Sequence, residues 1–97
     1  MVIGVFGKNN CQVCEQTKRK LDHFLTKWGV SDDVPVSFYD MDTIEGMAEG
    51  MFYDVDDIPV TIVLDDGGSV IWRCDGKRPS SRELRPHLVG SDGGVPD

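Results

Sequence analysis

The alternation of apolar and polar positions changes period several times along this chain, and each change marks an element. Val2-Ile3-Gly4-Val5-Phe6 is a short apolar run that predicts a strand. The polar stretch Gly7-Lys8-Asn9-Asn10 follows, with the helix N-cap expected at Asn10 or a residue either side of it. From there to Trp28 the spacing is helical. At about 100° per residue, Cys14, Leu21, Phe24, Leu25 and Trp28 share one stripe, while Arg19, Asp22 and Lys27 lie elsewhere, and Gly29 is the expected stop.

An acidic loop leads to Pro35-Val36-Ser37-Phe38-Tyr39-Asp40, whose alternation and β-branched and aromatic content predict a second strand. Asp42 or Thr43 caps a second helix reaching about Phe52, weakened by Gly46 and Gly50; Met41, Met47 and Met51 are expected to serve as soft core or surface packing. Pro59 to Leu64 and Ser69 to Cys74 read as strands around an Asp65-Asp66-Gly67-Gly68 hairpin turn. Ser80 or Ser81 then starts a last helix toward Leu88, with Glu83 placed for a capping box and Pro86 expected to shorten or bend it. The order is βαβαββα: a parallel βαβ unit extended by an antiparallel hairpin, which predicts an α/β fold with a four-stranded mixed sheet and helices on both faces.

Composition narrows the function classes. Ninety-seven residues with 39% hydrophobic content make one compact domain, expected over residues 1–90, with 91–97 a Gly-, Pro- and Asp-rich flexible tail. A net charge of −7 argues against nucleic acid, whose binding rests on neutralising phosphates with Lys and Arg. No apolar run approaches the roughly 20 residues of a membrane span, and no secretory signal pattern is visible. Three cysteines are an odd set, unlike a disulfide-stapled secreted fold, so a reducing, cytoplasmic location is expected.

The chemistry concentrates in Cys11-Gln12-Val13-Cys14. Two thiols three positions apart at a helix start can close into a disulfide and reopen, and the free N–H groups and partial positive charge of the helix end favour a thiolate at the first. Helical phase puts Cys14 at the end of the core-facing stripe and Cys11 at the rim, an accessible attacker and a shielded resolver. The same pair can also be half of a zinc site. Cys74 closes the last strand, where a cysteine is most often a small buried hydrophobe and otherwise a third thiol near the site. A metal centre needs a fourth ligand beyond Cys11, Cys14 and Cys74, and there is no second CxxC to supply it. Trp28 and Trp72 read as packing residues, His23 and His87 as surface or packing.

With these residues in view, the chain resembles the thioredoxin superfamily over about residues 1–90. The resemblance rests on the strand–CxxC–helix unit, on Ile58-Pro59 immediately before a strand, and on the terminal hairpin, glycine and closing helix. Within it the chain is similar to the small glutaredoxin-like group and to the NrdH-redoxins, which combine a CxxC and a following Thr-Lys-Arg run with a later Gly-x-Arg-Pro. Here these read Cys11 to Arg19 and Gly76-Lys77-Arg78-Pro79. The Trp-Cys-Gly-Pro-Cys of thioredoxins and the Cys-Pro-x-Cys of glutaredoxins are absent. Cys74-Asp75-Gly76-Lys77-Arg78 stands where glutaredoxins place a paired glycine and an acidic residue for glutathione, yet Lys8 matches the glutaredoxin lysine that contacts glutathione.

The resemblance implies a thioredoxin-like fold and a dithiol–disulfide oxidoreductase acting on protein disulfides. Cys11 and Cys14 would be the catalytic pair, forming a redox-active disulfide, with no tightly bound cofactor. It implies a cis bond at Ile58-Pro59 and a substrate groove built from Lys8, Ile58, Pro59, Gly76 and Arg78, with Lys77, Asp56 and Asp57 on the rim. Electrons would come from NADPH through a thioredoxin reductase or the glutathione system. A monomer is expected. The alternatives are a glutathione-dependent glutaredoxin and a non-enzymatic metal or iron–sulfur carrier using the same cysteines.

Overall fold

The computed structural model describes residues 1–89, apart from the side chain of Val89; the expected tail at 91–97 lies outside the described residues. Seven elements follow the expected order: β1 (Val2–Gly7), α1 (Gln12–Trp28), β2 (Val36–Asp40), α2 (Ile44–Phe52), β3 (Val60–Leu64), β4 (Val70–Asp75) and α3 (Ser81–Val89). The sheet has the strand order β2-β1-β3-β4, with β1 parallel to β2 and antiparallel to β3, and β4 antiparallel to β3.

Strand alternation sorts the sheet's side chains onto two cores. On one face Ile3, Val5 and Val63 pack with Leu21, Leu25 and Trp28 of α1 and Leu84 of α3, with Trp72 and Phe38 against them. On the other face Phe6, Val60 and Ile62 form a smaller core with Tyr39, Met41, Tyr53 and Val55. Phe6 stacks on Tyr39 at a centroid separation of 4.7 Å. Helices therefore cover both faces, as the element order predicts.

Local chemistry explains most of the boundaries. Gly29 ends α1 in the left-handed region (φ 71°), its N–H turned back to the Leu25 and Thr26 carbonyls. Asp65 organises the β3–β4 hairpin, its carboxylate accepting from the N–H groups of Gly67 and Ser69 at 2.9 Å each. Thr43 caps α2, its hydroxyl accepting from the Gly46 N–H at 3.0 Å.

The N-cap of α1 is Cys11, within the one-residue range expected around Asn10. Several other expectations need correction. Pro35 and Pro59 accept from the Ile3 and Gly76 N–H groups but have no N–H of their own to donate, and β2 and β3 begin one residue later. Pro86 does not shorten α3, which continues to Val89. Of the methionines, Met41 packs against the smaller core and Met47 and Met51 lie on the surface. The glycines of α2 are not simply weak points: Gly46 and Gly50 are the buried positions of that helix, set against Asp40 and Met41.

Candidate functional site

The CxxC segment sits where β1 hands over to α1. The Lys8 carbonyl accepts the Cys11 N–H at 3.2 Å, closing a turn that aims the helix start away from the sheet end. Cys11 is extended (φ −100°, ψ 113°), and its Sγ accepts the Cys14 N–H at 3.1 Å, so a sulfur does the work of an N-cap oxygen. Cys11 and Cys14 are joined as a disulfide with Cα atoms 5.2 Å apart. Cys11 is half-buried, whereas Cys14 has no exposed surface. The asymmetry expected from helical phase is thus present.

Gly7, which sequence reasoning passed over as a loop residue, makes the burial of Cys14 possible. A Cβ on Gly7 would stand 2.6 Å from Cys14 Sγ and 2.9 Å from its Cβ, closer than unbonded atoms sit. The last residue of β1 must be glycine for the sulfur to lie on the sheet. Thr17 was also missed. One turn after Cys14 on the same stripe, it is fully buried, and its hydroxyl donates to the Val13 carbonyl at 2.9 Å. The signal for both was in the sequence: glycine at the strand end, and threonine in phase with Cys14.

Register brings Pro59 to this place. Val60 pairs with Phe6, so the residue before it lies across from Gly7 and beside the helix start. The Ile58–Pro59 peptide is cis. Pro59 is buried, Ile58 half-buried, and the Pro59 carbonyl accepts the Gly76 N–H at 2.7 Å. Gly76 has φ 74°, which favours glycine, and a Cβ there would run into the Asp57 carboxylate. Arg78 reaches back to α1, donating to the Gln16 side chain at 3.1 Å. Cys11, Cys14, Pro59, Gly76 and Arg78 are therefore assembled from three separate stretches at one end of the sheet.

Other candidates are placed differently. The Lys8 ammonium pairs with Asp42 at 3.6 Å. Lys18, from the Thr-Lys-Arg run, lies over the Phe38 ring at 4.2 Å and pairs with Glu15 at 3.0 Å, so that run serves packing as much as chemistry. Lys77, Asp56 and Asp57 are exposed. Cys74 is at the same end of the sheet, opposite Thr61, but only 5% exposed. Its thiol faces the Lys77 and Arg78 carbonyls at 3.5 and 3.9 Å, and burial pushes its pKa up, which makes it a packing residue that steadies the Gly76–Pro79 turn. Trp28 is buried in the larger core; His23 and His87 make ring contacts with Phe24 and Trp72. Among the described residues no group of three or more His, Cys, Asp or Glu is arranged to hold a metal ion, and no helix is long and apolar enough to cross a membrane.

No protein-family model and no curated protein sequence matches the chain. Solved structures do. Thioredoxin 1 from the thermophilic eubacterium Thermosipho africanus TCF52B superposes with a TM-score of 0.66 at 24% identity, over 87% of this chain and 85% of that one. Thioredoxin-2 of the malaria parasite, a component of its protein secretion machinery, gives 0.69 at 20% identity, over 86% and 75%. A thioredoxin-fold protein from Helicobacter pylori gives 0.71 at 16%, over 90% and 65%. The chain has the thioredoxin fold.

Proposed function

We propose that this thioredoxin-fold chain is a dithiol–disulfide oxidoreductase that reduces protein disulfides, with Cys11 as nucleophile and Cys14 as resolving thiol. The observation that carries it is the Cys11–Cys14 pair at a helix N-terminus, one sulfur half-buried and the other fully enclosed. In the reduced protein the Cys14 N–H and the helix end favour negative charge on Cys11 Sγ. That thiolate attacks one sulfur of a substrate disulfide, the S–S bond breaks, and the other substrate sulfur leaves as a thiolate and takes up a proton. Cys14 then loses its proton and attacks Cys11 Sγ. The second substrate thiol is released, and the two electrons delivered leave Cys11 and Cys14 joined.

Ile58, Pro59, Gly76 and Arg78 are proposed to line the groove that holds an extended segment of the substrate, and Lys8 to flank it from the loop before Cys11. A reductant must reopen the disulfide in each cycle. By the NrdH-like resemblance this is NADPH acting through a thioredoxin reductase, in a reducing compartment such as the cytoplasm, with the glutathione system as the rival donor. The single domain over residues 1–90 is proposed to act as a monomer, as a reductase of this size has all of its groups on one chain.

The test is reduction of insulin disulfides by wild type, Cys11→Ser and Cys14→Ser. Cys11→Ser is expected to lose the reaction; Cys14→Ser is expected to lose multiple turnover and accumulate a dithiothreitol-sensitive adduct through Cys11. Full multiple turnover by Cys14→Ser would sink the two-thiol scheme. Recycling assays with thioredoxin reductase and NADPH, against glutathione and its reductase, assign the donor.

A further inference from the structure

Helix α2 is inside out. At about 100° per residue Met47, Met51, Ile44, Ala48 and Phe52 fill one continuous arc of about 140°, and Gly46 and Gly50 lie opposite. The glycines face the protein. A Cβ on Gly46 would strike the Asp40 carbonyl, and one on Gly50 would stand 2.6 Å from the Met41 methyl group. The apolar arc faces solvent: Ile44 is 79% exposed, Met47 44%, Met51 80% and Phe52 77%. A surface helix normally buries such a stripe, and clusters of large exposed apolar side chains mark places where another molecule sits.

Charge says what kind of molecule. Residues 40–57 carry seven carboxylates (Asp40, Asp42, Glu45, Glu49, Asp54, Asp56 and Asp57) and no Lys or Arg. The neighbouring cations are engaged, Lys8 with Asp42, and Arg73 with Asp75 and the backbone carbonyls of Tyr53 and Asp54. Where α2 ends, Met51, Asp54, Val55 and Asp56 line an open hollow of about 420 Å³. Two apolar walls and two carboxylates suit a Lys or Arg side chain, with its methylenes on Met51 and Val55 and its charged head between the aspartates. A second copy seated symmetrically would set carboxylates against carboxylates, and residues 90–97 carry only acidic charges. Anionic bilayers are repelled by the same rim.

We infer that the outer face of α2, with the hollow at its C-terminal end, is a docking surface for a protein partner presenting an apolar cluster rimmed by Lys and Arg. The surface stands on exposure and charge and does not depend on the redox reading. The segment that leads into α2 is joined to the loop before Cys11 by the Asn9–Asp40 hydrogen bond (3.2 Å) and the Lys8–Asp42 pair.

The test titrates the ¹⁵N-labelled full chain with a designed amphipathic helical peptide of Leu and Lys, and with its counterpart of Leu and Glu. Amide shifts on Ile44–Phe52 and 54–56 with the Lys peptide are expected, with binding weakened by salt and on the order of tenfold weaker for the Glu peptide. Met51→Ser/Phe52→Ser should lose the shifts, and Glu45→Lys/Glu49→Lys should reverse the peptide preference. Equal binding of both peptides, shifts elsewhere, or no shifts at millimolar peptide overturns the inference. So does self-association that Met51→Ser/Phe52→Ser abolishes, which would make a second copy the occupant.

Discussion

Replacing Gly7 by alanine tests the packing on which the buried sulfur depends. The added Cβ would fall 2.6 Å from Cys14 Sγ and 2.9 Å from Cys14 Cβ, about 1 Å inside ordinary contact. Neither neighbour is the free end of a flexible chain: Cys14 is the third residue of α1 and fully buried. Overpacking of this kind costs roughly 1–3 kcal/mol. Against it, alanine in a strand gains about 0.5–1 kcal/mol over glycine. The net expectation is a loss of about 1 kcal/mol, a fall in Tm of about 4–8 °C for a domain of this size.

The assay is urea unfolding under reducing conditions, run as a double-mutant cycle with Cys14→Ala so that the disulfide plays no part in any arm. Removing the sulfur relieves the tighter contact, so Gly7→Ala should cost less in the Cys14→Ala background. An unchanged cost there, or a wild type stabilised by Gly7→Ala, refutes the account.

Two further outcomes follow from the same structure. Gly46→Ala, which would stabilise an ordinary exposed helix by about 1 kcal/mol, should instead destabilise, because its Cβ meets the Asp40 backbone carbonyl; Met51→Ala in the same helix should stay within about 0.5 kcal/mol, and thermal unfolding compares the two. Burial raises the Cys74 pKa in the folded protein, so its contribution to stability is complete below the ordinary cysteine value of about 8.5 and is lost as pH rises from there through the folded value, while the unfolded chain ionises first. In the oxidised protein, where Cys74 is the free thiol, the urea midpoint should fall between neutral pH and about pH 9.5, and Cys74→Ala should flatten that fall; an unchanged slope refutes the assignment.

Much of the fold was legible because it rests on local rules. The apolar run of β1, the phase of α1, Gly29 and the Asp65–Gly68 turn each act within a few residues, and the elements they predict are present. Boundaries were less legible where hydrogen bonding decides: prolines 35 and 59 look like strand residues by composition but cannot donate to the ladder. The cap was legible only to within a residue of Asn10, because asparagine is the commoner cap and a sulfur takes the role when the second cysteine's N–H points at it.

The sequence by itself determined the cysteine pair and its asymmetry, since spacing and helical phase put one sulfur at the rim and the other in the core. Tertiary structure decided what surrounds it. Strand register set Pro59 across from Gly7, and the turn after β4 carried Gly76 against Pro59 and Arg78 to Gln16, contacts between residues far apart in the chain. It also decided the fate of α2. Hydrophobic pattern alone predicts that Ile44, Met47, Met51 and Phe52 turn inward, yet the chain presses so closely on Asp40 and Met41 that only the glycine face fits. The apolar face is left in solvent because the Asp40 backbone carbonyl leaves no room for a side chain at Gly46 and the Met41 side chain lies against Gly50, and no local rule contains that information.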